Sequence, residues 1–161
     1  MFPVTTPVAR TTKQISASEA FMHPSIDRKT EPLVVMVADD DDDFRAVAVA
    51  ALEADGHSTI EAHDGQELLE LLDLARDDAS SPRPDVLVTD VKMPRLSGLG
   101  ILAALRGARW NLAVVVVTGL SDESIETVAR RLGAVRVLRK PFDPADLLAA
   151  VRDANRHLLA G

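Results

Sequence analysis

From residue 33 onward, short runs of apolar, largely β-branched residues alternate with longer segments whose apolar residues recur at helical spacing. The runs cover residues 33–38, 58–62, 85–90, 112–119 and 134–139, and such runs are typical of buried strands. The longer segments predict helices over residues 44–56, 65–76, 98–108, 121–133 and 143–159. This strict alternation predicts an α/β fold in which a five-stranded parallel sheet has helices on both faces, a doubly wound three-layer sandwich.

Residues 1–31 differ from the rest of the chain in composition. They are rich in Thr, Ser and Pro and show neither strand alternation nor a sustained helical stripe, which predicts a flexible N-terminal extension before a domain at 32–161. The extension holds four basic and three acidic residues and so carries a net charge of +1. Because the whole chain carries −7, the domain itself carries −8. An acidic domain argues against direct binding of nucleic acid.

The absence of cysteine and of long apolar segments bears on location. All 161 residues include no cysteine, which fits a reducing compartment, and no apolar run approaches the roughly 20 residues of a membrane span. The N-terminus also lacks the continuous apolar core of a signal peptide. We therefore expect a cytoplasmic protein without membrane insertion.

Polar residues follow four of the predicted strands at the point where each strand ends. Asp39 and Asp40 come directly after the first strand, Asp90 ends the third, Thr118 closes the fourth and Lys140 follows the fifth. Ligands of doubly wound sheets bind at the carboxyl ends of the strands. The sequence therefore predicts that three carboxylates, a hydroxyl and an ammonium converge on one edge of the sheet.

The run of five aspartates at residues 39–43 needs a counter-charge, because carboxylates packed this closely repel one another. Mg²⁺ fits best, since it uses one or two carboxylates and keeps coordination positions for water and phosphate oxygens. A calcium-binding loop is the competing interpretation. Counted from Asp39, however, Phe44 stands where that loop needs glycine and Ala50 where it needs glutamate, which excludes it.

A metal site, a lysine and a hydroxyl around one carboxylate indicate phosphoryl transfer onto that carboxylate. Asp90 is the candidate nucleophile, and we expect Lys140 and Thr118 to contact the phosphoryl oxygens. Asp41, Asp42 and Asp43 have a simpler explanation, since they fall where a helix begins and can cap its free amides.

Four motifs stand in order at the predicted strand ends. They are Asp39-Asp40 with Arg45 in the following helix, TDVKMPRLSG around Asp90, VVTG ending in Thr118 and Gly119, and RKPF with Lys140, Pro141 and Phe142. In these motifs, residues 33–159 resemble the receiver domains of two-component response regulators, whose archetype is the chemotaxis response regulator. The resemblance implies a flavodoxin-like (βα)5 fold with strand order 2-1-3-4-5.

The resemblance also implies a role for each site residue. Asp90 is expected to be the phosphoacceptor and a metal ligand, Asp40 a direct ligand of Mg²⁺ and Asp39 a ligand through water. The backbone carbonyl of Lys92 is expected to be the third protein ligand, with Mn²⁺ as a substitute metal. The Lys140-Pro141 peptide is expected to be cis, an isomer that proline makes accessible.

One position departs from the pattern of the receiver domains that this chain resembles. Many receivers carry an aromatic residue three positions before the lysine, and this chain has Val137 there. Phosphorylation is expected to draw Thr118 inward, and the aromatic residue then fills the space that Thr118 leaves. Thr118 and Val137 are therefore the expected switch residues. Because valine cannot report the shift as a ring rotamer, the usual account of signal output through an aromatic residue does not carry over to this chain.

The implied partners are a sensor histidine kinase or a histidine phosphotransfer protein, together with a downstream protein target. Because the chain stops at Gly161, we expect a stand-alone receiver, a monomer or weak dimer that is not a dedicated enzyme beyond its own phosphotransfer and dephosphorylation. Two alternatives stay open: a constitutive, phosphate-independent interaction module, and a Mg²⁺-dependent phosphohydrolase. His57, His63 and His157 are expected to have surface roles.

Overall fold

The computed structural model describes residues 31–119 and 123–160, which contain five parallel strands in one sheet of order β2-β1-β3-β4-β5. The strands are β1 Val34–Ala38, β2 Ser58–Ala62, β3 Val86–Asp90, β4 Ala113–Thr118 and β5 Arg136–Arg139. The helices are α1 Asp42–Ala54, α2 Gly65–Asp77, α3 Gly98–Gly107, α4 Glu123–Arg131 and α5 Pro144–Leu159. The predicted fold class and strand order are confirmed. The extension expected over residues 1–31 lies, apart from Glu31, outside the described residues.

The three central strands are buried on both faces, which explains their continuous apolar sequence. Met36 and Leu87 belong to one core cluster with residues of α2, α3 and α4, whereas Val37 and Val88 belong to a second cluster with residues of α1 and α5. Because consecutive strand residues point to opposite faces, a strand covered on both sides needs an apolar residue at every position. The sheet is therefore the middle layer of three.

The ends of the helices differ from the predictions by at most two residues. Helix α1 begins at Asp42 instead of residue 44, because the Asp41 carboxylate accepts hydrogen bonds from the amides of Asp43 and Phe44 at 3.0 and 3.1 Å. Asp42 and Asp43 then occupy its first turn, as expected for acidic residues near the positive end of a helix. The capping interpretation of these aspartates agrees with the structure.

His57 is buried, so the surface role expected for it is wrong. Its Nδ1 accepts a hydrogen bond from the amide of Leu33 at 3.2 Å, and its Nε2 lies 3.4 Å from the Asp55 carboxylate. Asp55 in turn accepts hydrogen bonds from Arg152 of α5. These contacts join the start of the sheet to the turn after α1. His63 and His157 are exposed, as expected.

The Arg106 guanidinium connects the carboxyl-terminal ends of α3 and α4. It donates hydrogen bonds to four backbone carbonyl oxygens, those of Trp110, Leu112, Leu132 and Gly133, at 2.9 to 3.2 Å. Burial lowers the pKa of Arg106. One side chain therefore satisfies backbone acceptors of the two loops that follow α3 and α4.

We expect Arg106→Ala to lower the free energy of unfolding by about 2–3 kcal/mol, because it leaves several carbonyl groups without a hydrogen-bond donor. Urea unfolding measures the change, with Arg131→Ala as the control because Arg131 is exposed on α4. A loss no larger than that of the control would show that water replaces the guanidinium without cost.

Candidate functional site

Three carboxylates meet at the carboxyl edge of the sheet. Oxygen atoms of Asp39, Asp40 and Asp90 lie within 4.8 Å of one another. Asp39 is 1% exposed and Asp90 7%, whereas Asp40 is exposed. The pairing of β1 with β3 produces this convergence, because Ala38 is in register with Thr89 and the next residue along the chain is an aspartate in both cases. The sequence-based placement of these three acids is therefore reproduced by the structure.

Lys140 places a positive charge among these acids. Its Nζ donates to Asp39 Oδ2 at 2.7 Å and lies 3.8 Å from Asp90 Oδ1. The Lys140 amide donates to the carbonyl of Thr118 at 2.8 Å, which fixes the chain after β5 against the end of β4. The Lys140-Pro141 peptide is cis, in agreement with the expectation. The ammonium therefore compensates one buried carboxylate and lies near the second.

Arg45 holds the backbone from which Asp39 projects. This buried guanidinium donates to the Asp39 carbonyl at 2.7 Å, to Glu61 at 2.9 Å and to Asp42 at 2.6 Å. The Asp39 carboxylate also accepts the amide of Asp41 at 2.9 Å, so the turn into α1 is fixed from two directions. Sequence reasoning assigned Arg45 no role, because its contacts depend on how the turn folds back against β2.

Burial raises the pKa of Asp90 to about 6, and the neighbouring charge of Asp39 adds to the effect. The Lys140 ammonium opposes the rise, and Asp40 contributes a smaller one. Desolvation and like charges both disfavour a carboxylate, so in the absence of a further cation the site resists ionisation of Asp90. A divalent cation among these oxygens would relieve that repulsion.

The remaining predicted site residues lie around this edge. Thr118 is buried at the end of β4, and Lys92 is exposed in the loop after β3. Val137 is half-buried on β5, in register with Val116, and packs on the face of the sheet that α4 covers. Thr118 and Val137 thus belong to neighbouring, paired strands.

Gly98 fixes the loop that follows Asp90, a role that the sequence analysis did not single out. Its amide donates to the Val91 carbonyl at 3.1 Å, and a Cβ built at Gly98 would lie 2.1 Å from the Asp90 carbonyl oxygen. Only glycine allows α3 to begin this close to the strand end. The glycine that ends the TDVKMPRLSG motif was the available signal.

Comparison with known sequences gives a consistent assignment. Residues 35–152 match the family described as the response regulator receiver domain, and the chain belongs to that family. It is 38% identical over 118 residues to the response regulator MprA of Mycobacterium tuberculosis, covering 73% of this chain and 48% of MprA. It is also 38% identical over 123 residues to the transcriptional regulatory protein FixJ of Azorhizobium caulinodans, covering 76% of this chain and 54% of FixJ. The chain thus spans about half the length of these relatives.

Solved structures show the same fold. A response regulator receiver domain from Clostridium thermocellum superposes with a TM-score of 0.70 at 30% identity, covering 80% of this chain and 98% of that one. The signal receiver domain of the putative response regulator NarL from Mycobacterium tuberculosis gives a TM-score of 0.69 at 30% identity, with coverage of 78% and 98%. Receiver domains are signalling modules of two-component systems and not dedicated enzymes. Among the helices of residues 31–119 and 123–160, none is long and apolar enough to cross a membrane.

We expect Asp90→Asn to stabilise the metal-free protein at neutral pH. Because the pKa of Asp90 rises to about 6 on folding, the folded state binds more protons than the unfolded state below that pH, and its stability falls as pH rises from about 4 to about 6. Removing the ionisable group should therefore raise the free energy of unfolding by on the order of 2 kcal/mol at about pH 7.5.

The measurement is urea unfolding in EDTA at about pH 7.5 and about pH 4.5, where the gain should shrink. Asp73→Asn is the control, because this half-exposed carboxylate pairs with Arg76 on α2 and its loss should bring no gain. An Asp90→Asn protein that is no more stable than wild type at about pH 7.5 would contradict the account.

Proposed function

We propose that Asp90 accepts a phosphoryl group from a sensor histidine kinase or a histidine phosphotransfer protein, and that the phosphorylated domain binds a downstream protein target. The observation that carries this proposal is the group of three carboxylates within 4.8 Å, two of them buried, beside the Lys140 ammonium. Buried carboxylates this close to one another lower the stability of the fold, so their presence at this edge indicates a functional site.

The donor set fits Mg²⁺, with Mn²⁺ as a substitute. Asp40 and Asp90 would hold the metal through carboxylate oxygens, the Lys92 carbonyl would be a third ligand, and Asp39 would act through a water molecule. Hard oxygen donors and an incomplete protein shell are what Mg²⁺ prefers in phosphate-binding sites. When bound, the metal supplies positive charge to the transferring phosphoryl oxygens.

The chemical step assigned to this chain is a single displacement at phosphorus. A carboxylate oxygen of Asp90 forms the new bond to phosphorus while the bond from phosphorus to the donor histidine nitrogen breaks, and that electron pair stays on the imidazole. With its pKa raised to about 6, Asp90 remains mostly ionised at neutral pH, so a carboxylate oxygen is available as the nucleophile. Lys140, whose Nζ lies 3.8 Å from Asp90 Oδ1, would contact an oxygen of the transferred phosphoryl group.

The proposed output begins at Thr118. Its hydroxyl donates to the phosphoryl group and moves toward Asp90, which favours one of two conformations of the adjoining β4 and β5 edges. Val137 is small and half-buried, so it responds by a shift in packing instead of a ring rotation. We place this domain in the cytoplasm as a monomer or weak dimer that acts by binding proteins.

We expect the wild-type protein to gain one phosphoryl group from acetyl phosphate in the presence of Mg²⁺, and to gain none in EDTA. The adduct should be absent from Asp90→Asn, because the amide cannot act as the nucleophile. Intact-mass spectrometry measures the adduct, and denaturant unfolding confirms that both proteins are folded.

Three outcomes would separate the proposal from its alternatives. An adduct on Asp90→Asn would place the acceptor elsewhere. Steady turnover of an unrelated phosphomonoester would favour a phosphohydrolase. The absence of any adduct on a folded wild-type protein that binds Mg²⁺, together with the absence of a beryllofluoride signal in ¹⁹F NMR, would favour a phosphate-independent interaction module.

A further inference from the structure

Phe44 presents the face of its ring to the Lys140 ammonium. The Lys140 Nζ lies 4.1 Å from the ring centroid, within the range of a cation–π contact. The same ammonium donates to Asp39 at 2.7 Å and lies 3.8 Å from Asp90. Lys140 is therefore held from two sides, by a carboxylate and by an aromatic face.

The ring itself is held in place. Phe44 lies in the first turn of α1, where its amide donates to the capping carboxylate of Asp41 at 3.1 Å. Its ring meets that of Phe142 edge to face, with centroids 5.5 Å apart and an interplanar angle of 81°. Edge-to-face pairs of this separation are favourable. Phe142 follows Lys140 by two residues, so the aromatic pair ties α1 to the segment that carries the lysine.

A flexible lysine needs such a constraint at this site. Its four-carbon stem has many rotamers, and the contact with Asp39 alone would leave the ammonium free to turn about that carboxylate. The ammonium has three N–H donors and Asp39 accepts one of them at 2.7 Å. An aromatic face attracts the charge without acting as a strong hydrogen-bond acceptor. It therefore restricts the ammonium while leaving donors for an incoming anionic group.

We propose that Phe44 is a positioning residue whose ring holds the Lys140 ammonium between Asp39 and Asp90. The placement of the ammonium stands on the geometry of the protein alone. The consequence for phosphoryl transfer rests on the proposed function. Phe44→Leu removes the aromatic face and keeps an apolar side chain of similar reach, whereas Phe44→Tyr keeps the face.

The first test measures the lysine directly, by ¹H–¹³C NMR of the Lys140 side chain in unphosphorylated protein in EDTA. The ring current of Phe44 should shift the Lys140 Hε resonances upfield in the wild type and in Phe44→Tyr, and the shift should disappear in Phe44→Leu. The matched control is Val47→Ala, since Val47 is 59% exposed on the same helix, three residues after Phe44. This control should keep the wild-type Lys140 resonances.

The second test measures the initial rate of phosphorylation by acetyl phosphate with saturating Mg²⁺. The small donor needs no protein docking, so the rate reports the site and not a binding surface. We expect Phe44→Leu to reduce the rate about fivefold, the size of a partly buried cation–π contact. Phe44→Tyr should restore most of the rate, and Val47→Ala should match the wild type.

Failure of this inference is distinguishable from failure of the proposed function. Unchanged Lys140 resonances in Phe44→Leu would overturn the positioning role, whatever the protein does with acetyl phosphate. Equal loss of rate in Phe44→Leu and Phe44→Tyr would also overturn it, because the effect would then follow general packing. A wild-type protein that takes up no phosphoryl group would contradict the proposed function. The NMR comparison would still show whether the Phe44 ring holds the Lys140 ammonium.

Discussion

The contact between the Lys140 ammonium and the Asp39 carboxylate joins two strand ends that are 101 residues apart in sequence. Strands β3 and β4 lie between β1 and β5 in the sheet, so this contact forms only when the strands are in this order. It compensates a buried charge that would otherwise oppose folding. The close approach of Asp39 and Asp90 at the acidic edge depends on this compensation, which also limits the rise in the pKa of Asp90.

Much of this architecture could be predicted from the sequence because it follows from local periodicity. Continuous apolar runs indicate strands buried on both faces, and parallel strands bring their carboxyl ends to one edge. That geometry alone was enough to place Asp39, Asp40 and Asp90 together before any contact was known. The family motifs added the strand order and the cis peptide, which periodicity does not provide.

The features that sequence reasoning missed depend on contacts between distant segments. His57 is buried because the turn after α1 packs beside Leu33 at the start of the sheet. The four carbonyl groups that Arg106 contacts belong to two separate loops. Phe44 was used only to exclude a calcium loop, yet its ring lies against Lys140. In each case the residue type was visible in the sequence but its neighbours were not.

The central claim is that the ends of β1 and β3 form one divalent-cation site, and paramagnetic broadening by Mn²⁺ tests it most directly. In ¹H–¹⁵N spectra of the unphosphorylated protein, substoichiometric Mn²⁺ should first remove the amide signals of residues 38–40 and 90–92, and excess Mg²⁺ should restore them. Broadening centred instead on the exposed carboxylates of α2, or spread evenly over the acidic surface, would contradict the account.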